Sequence, residues 1–281
     1  MIISILLGLI AYLLANVIFK SKLFIRLFLF FLYFSGDMVG WFMVILRHRF
    51  DLNADWLFEN GTVLMDSPGR GFATVISLAG FYLLFTNKEQ ISKKNIFIVG
   101  LLFGSLMGFK IYLAIPLIFG LFCMAFFNTI KKNFSYLFIF IIASIFFAIQ
   151  FLPLNASSGG LFYLPFNIPR EFFVQRAFDM SYIDLRLKIY SDHNNYFRLL
   201  EYGILMSIGY LLIQFGVKFF GVIPLRKTVK IIGLDLYVFF YSSLIFSFIL
   251  GLFFFQKIGG ANIWEFFLFS SLMLSILASL N

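Results

Sequence analysis

The stretch from Lys93 to Lys132 reads KKNIFIVGLLFGSLMGFKIYLAIPLIFGLFCMAFFNTIKK, and it limits the possible folds more than any other part of the chain. A lysine pair stands at each end, and one cation, Lys110, lies near the centre. A single helix over Ile96–Phe127 would be roughly 48 Å long at 1.5 Å per residue, well beyond the roughly 30 Å of bilayer hydrocarbon. Lysines mark the cytoplasmic flanks of membrane segments, so both ends belong on one side, which a single crossing cannot satisfy. The pattern predicts two shorter helices, Ile96 to Gly108 and Ile111 to Phe127, folded back as a re-entrant hairpin that breaks at Gly108-Phe109-Lys110.

The first of these helices carries Gly100, Gly104 and Gly108, a small-xxx-small spacing that admits another helix backbone at close range. Lys110 falls at the apex. A lysine held in or near the membrane is costly, and its default role is functional, with an anionic partner. The competing role is an anchor that snorkels to the headgroups.

A hydrophobic fraction of 62%, a charged fraction of 12% and a mean hydropathy of +0.97 exclude an ordinary soluble domain. The expected fold is an all-α polytopic bundle of about eight helices and half-helices, one transmembrane domain over residues 1–281. Its outer loops are 47–70, 153–198 and 256–264. The net charge of +9 does not point to nucleic acid, because the basic residues form short clusters between apolar runs, where they set topology. Cys123 is the sole cysteine and His48 and His193 lie far apart, so neither a disulfide nor a zinc site is expected.

Helix one, Ile2 to Phe19, lacks the basic leader of a signal peptide; Lys20, Lys22 and Arg26 follow it and place its end in the cytoplasm. The abrupt apolar start raises the expectation that this is the later part of a longer protein. Helix two, Leu27 to Leu46, carries Asp37, an acid that would face a cavity, a partner or a packing hydrogen bond. Further helices are expected at Gly71–Thr86, Phe134–Leu152, Leu199–Val217, Leu236–Phe255 and Glu265–Leu280. Residues 170–180 read as an amphipathic helix in the interface, while the alternation over 183–189 is strand-like and leaves that segment open.

This arrangement puts twelve basic residues (20, 22, 26, 88, 93, 94, 131, 132, 218, 226, 227, 230) in cytoplasmic segments and nine (47, 49, 70, 170, 176, 186, 188, 198, 257) outside, modest support for the topology. Nearly all the acids fall outside, and the candidate chemistry with them. Asp51, Asp55 and Glu59 would share a face if helical, and with Asp66 could act as a general base or hold a divalent cation; a solvated loop is the plainer explanation. Arg49, Arg70, Arg170 and Arg176 suit bidentate phosphate binding, and Lys110 supplies a point charge. Gln256 and Asn262 add loop amides.

Four segments together resemble one family. GLLFGSLMGFKIYLAIPLIFGLF (100–122) looks like the helix pair around a K-x-Y motif in bacterial integral-membrane glycosyltransferases of the C superfamily, and DSPGRGFATVISLAGFYLLF (66–85) like the segment before it. SGGLFYLPFNIPR (158–170) is similar to the outer loop that follows, and FFFQKIGGANIWEFFLFSS (253–271) to a late Q-K-x-x-x-x-N-x-x-x-F element. The resemblance implies transfer of a sugar from a polyprenyl-phosphate donor to an acceptor outside the cytoplasm, by a multi-pass protein of the cytoplasmic membrane. Lys110, Tyr112, Arg170, Gln256, Lys257 and Asn262 would bind the donor or shape its site. The family's catalytic acid lies in the first outer loop of a longer chain; here Asp51 or Asp55 would substitute, or the catalytic half is absent. Membrane lipid and lipid-linked sugar are the implied partners, with no resident metal assigned.

Two other classes stay open. A transporter or lipid-handling protein also uses broken helices and intramembrane charge such as Lys110 and Asp37, although no internal repeat relates the two halves. A non-catalytic membrane subunit would need only packing motifs such as the glycine series.

Overall fold

The computed structural model describes residues 2–34, 67–88, 91–154, 160–176, 178, 180–223, 226–256 and 263–280. Among these the chain is almost wholly helical, and five helices are long and apolar enough to cross a membrane. The protein is a multi-pass helical membrane protein.

Helices α1 (Ile2–Ile18) and α2 (Lys22–Tyr33) are separated by a short turn, where the Ser21 hydroxyl accepts from the Leu23 amide and caps α2. The second helix begins five residues before the apolar run predicted, with Lys22 and Arg26 inside it; Asp37 lies outside the described residues. Helix α3 (Pro68–Thr86) opens on a strong start signal, Ser67 as N-cap and Pro68 in the first turn. Then come α4 (Lys93–Ser105), a 3₁₀ turn (Leu106–Gly108) and α5 (Ile111–Ile130). The break falls where the sequence places it: Lys110 adopts an extended backbone (φ −155°, ψ 107°) between the two helices.

The occupant of the glycine stripe is α6 (Ser135–Leu154). A Cβ added at Gly104 would lie 2.6 Å from Phe146 Cβ and 2.7 Å from the Ala143 carbonyl oxygen, and one at Gly100 would lie 2.7 Å from Ile142 Cγ2. Any larger residue would force α4 and α6 apart. Helix α6 is otherwise peripheral, with 17% of its apolar window buried against at least 50% for the other candidate spans.

Strand β1 (Leu161–Tyr163) leads into the short helix α7 (Asn167–Glu171) and a π-helical turn (Phe172–Arg176). The amphipathic helix expected over 170–180 is therefore not continuous. The separate helix is α8 (Ser181–Asp192), over the segment whose alternation looked strand-like. It carries two apolar faces at helical spacing. Ile183, Leu187 and Tyr190 are the more buried set, whereas Tyr182, Leu185 and Ile189 are exposed. A helix apolar on two sides, with charges between, reads as period two.

Helix α9 (Tyr196–Phe215) continues through a 3₁₀ segment (Gly216–Val222). Short α10 (Arg226–Ile232) precedes α11 (Leu234–Phe253), which runs into strand β2 (Phe254–Gln256). The two strands pair antiparallel, with Leu161 opposite Gln256 and Tyr163 opposite Phe254. Last is α12 (Glu265–Leu280), in which only Leu268 and Ala278 escape full burial. Such an all-round buried helix is the axis of a bundle: α2, α5, α11 and the 3₁₀ segment pack around it. An aromatic cluster of Phe81, Phe103, Phe239 and Phe240 joins α3, α4 and α11 at ring distances of 5.3–6.2 Å.

Candidate functional site

The N-terminal ends of α3, α5 and α12 come together at one end of the bundle. Gly69 allows it: a Cβ there would sit 3.0 Å from the Phe109 carbonyl oxygen, so α3 starts against the break between α4 and α5. Each helix N-terminus carries the positive end of its backbone dipole. Each also contributes a charged side chain: Arg70, Lys110 and Glu265.

Glu265 is the centre of the arrangement. Its side chain is 3% exposed, yet it accepts two cations. Lys110 Nζ lies 3.0 Å from both Oε1 and Oε2, and Arg70 Nη2 lies 3.1 Å from Oε1. Exposure increases outward, from Glu265 through Arg70 (12%) to Lys110 (22%), so Lys110 is the member nearest solvent. The Arg70 guanidinium also lies over the Trp264 ring, 5.1 Å from its centroid, which restrains it. A carboxylate buried this deeply requires such pairing. Its place in the first turn of α12 adds a favourable dipole term.

Tyr112, two residues past Lys110, donates its hydroxyl hydrogen bond to Gln256 Oε1. Its ring meets Phe266 edge-on at 5.1 Å. The K-x-Y segment and the late loop segment, 144 residues apart, thus join beside the Glu265 cluster. The β1–β2 ladder holds Gln256 in register with Leu161.

Of the residues singled out from sequence, Lys110, Tyr112 and Gln256 gather here, along with Arg70. Arg170 has a different partner: its Nε and Nη2 lie 2.8 and 2.5 Å from Asp184 Oδ1, on an exposed surface formed with α8. Asp51, Asp55, Glu59, Asp66, Lys257 and Asn262 lie outside the described residues. No three His, Cys, Asp or Glu side chains gather as a metal site among the described residues. Glu265 is the residue that sequence reasoning passed over, treated only as a helix start. The available signal was an acid inside the apolar run NIWEFFLFSS. Lys218 is a second surprise. Counted from sequence as a cytoplasmic marker, it is 1% exposed and donates to Ser271 Oγ at 2.6 Å, within the core.

Comparisons of the chain with family models, curated proteins and solved structures give no match. Function must therefore be read from the site itself.

Proposed function

We propose that this protein is a membrane glycosyltransferase that takes a sugar from a polyprenyl-phosphate donor and passes it to an acceptor on the extracytoplasmic face of the cytoplasmic membrane. The observation that carries the reading is the meeting of Lys110, Tyr112 and Gln256, from two distant segments, around a buried ion cluster. Lys110 and Arg70 would hold the donor phosphate, one as a point charge and the other as a planar fork. Tyr112 and Gln256 shape the wall beside it. In the reaction an acceptor hydroxyl attacks the anomeric carbon, the bond from that carbon to the phosphate oxygen breaks, and the phosphate leaves with the electron pair. Asp51 or Asp55 would take the hydroxyl proton, and the same carboxylates could hold a divalent cation against the phosphate. The hairpin of α4 and α5 is read as re-entrant, with Lys110 at its outer apex. One observation favours transport instead: Lys218 places a second cation inside the bundle.

The test is sugar transfer from a radiolabelled polyprenyl-phosphate sugar pool in membranes. Lys110→Ala, Arg70→Ala and one of Asp51→Asn or Asp55→Asn should each lose about a hundredfold or more. Undiminished transfer by Lys110→Ala, or none by correctly inserted wild type with several donors, would overturn the assignment.

A further inference from the structure

Two cations from unrelated segments aim at one oxygen. Arg70 Nη2 and Lys110 Nζ lie 3.1 and 3.0 Å from Glu265 Oε1. Those distances approach what charge-assisted bonds to a phosphate oxygen require, so the carboxylate occupies the position that an anionic ligand would need. We propose that Glu265 is a resident counter-ion which gives up Lys110 when a phosphate-bearing ligand binds, and so sets the affinity of the site. The inference rests on the reading that Lys110 and Arg70 hold a donor phosphate, and it adds a built-in competitor to that site.

The two cations are not equivalent in this exchange. Arg70 is packed on Trp264 and is the more buried. Lys110 is more exposed, sits at a break between helices and ends in a flexible four-carbon stem. Its ammonium has three donors and spends its closest contacts on both carboxylate oxygens. A ligand arriving from solvent meets Lys110 first, and Lys110 turns toward it. Glu265 remains paired with Arg70, so its buried charge is not left uncompensated, which would cost far more than the exchange. A purely structural carboxylate predicts the opposite of a competitor: removing its charge would loosen Lys110 and weaken binding.

The experiment is calorimetric titration of the full chain, purified in detergent, with farnesyl phosphate; uncharged farnesol reports apolar binding alone. Glu265→Gln should bind farnesyl phosphate at least about tenfold more tightly than wild type, and adding Lys110→Met should abolish the gain. Farnesol affinity should not change. Glu265→Asp, which withdraws the carboxylate by one methylene and keeps its charge, should fall between and serves if the glutamine variant fails to fold. In wild type labelled with carboxyl-13C glutamate, difference infrared spectra should show a carboxylate band shifting when farnesyl phosphate binds. Equal or weaker binding by Glu265→Gln overturns the counter-ion role and leaves the phosphate site standing. If neither wild type nor Glu265→Gln prefers farnesyl phosphate to farnesol, the phosphate site fails and the inference falls with it.

Discussion

Lys110 and Lys218 both reach α12, and they meet it in different ways. Lys110 comes from a helix break at the end of the bundle, remains partly exposed and pairs with a carboxylate, Glu265. Lys218 comes from a 3₁₀ segment, is sealed at 1% exposure and donates to a hydroxyl, Ser271. Glu265 and Ser271 are six residues apart on one helix, about 9 Å at 1.5 Å per residue. A cation at a rim can exchange partners, whereas a cation in a close-packed core is bound to the packing around it. Proximity to the same helix therefore does not confer the same role.

The sharpest way to break this comparison is to remove the acid. Glu265→Ala leaves Lys110 and Arg70 without their shared carboxylate, and stability in detergent should fall by about 3–5 kcal/mol, read as the midpoint of denaturant unfolding. A smaller effect separates the lysines. Lys218→Met should destabilise the fold by about 1–3 kcal/mol while correctly folded protein keeps its affinity for farnesyl phosphate. Lys110→Met should reverse that pattern, losing affinity with little change in stability; the same response from both would erase the distinction. The smallest effect belongs to the exposed pair of Arg198 Nη1 and Glu201 Oε2 on α9, 51% and 37% exposed. Glu201→Gln should leave the midpoint of denaturant unfolding unchanged, and a clear loss would show that the surface of α9 contributes more than solvent screening allows.

Much of the fold was legible because the determinants are local. Apolar runs marked the helices, and Gly108-Phe109-Lys110 stops a run too long for the bilayer. The caps went unread, so α3 and α4 begin at Pro68 and Lys93, each three residues ahead of the expected Gly71 and Ile96, on Ser67 and Ser92. The glycine spacing announced a close helix contact but not its partner, since α6 carries no matching signature. Residues 183–189 stayed open because alternation and a helix with two apolar faces share the same letters. The site was half visible. Lys110 stood out as a cation in an apolar run and Tyr112 entered only through the K-x-Y resemblance, whereas the ion cluster joins Glu265 to partners 155 and 195 positions away, a separation that periodicity cannot bridge. The burial of Lys218 was not legible because a cation at the end of an apolar run reads as a flank of the membrane segment, and its partner Ser271 lies 53 positions away.

The β1–β2 ribbon has a mechanical consequence. Three rungs tie Leu161–Tyr163 to Phe254–Gln256, and the last residue of that tie is the amide that receives the Tyr112 hydroxyl. Backbone ladders are stiff along their length compared with side-chain contacts, so a load on the segment around Leu161 reaches the wall of the ion cluster through two short strands. It need not tilt a helix on the way. Leu161 and the wall of the site are thereby joined through backbone, in a tie that ends on the partner of Tyr112, two residues from Lys110.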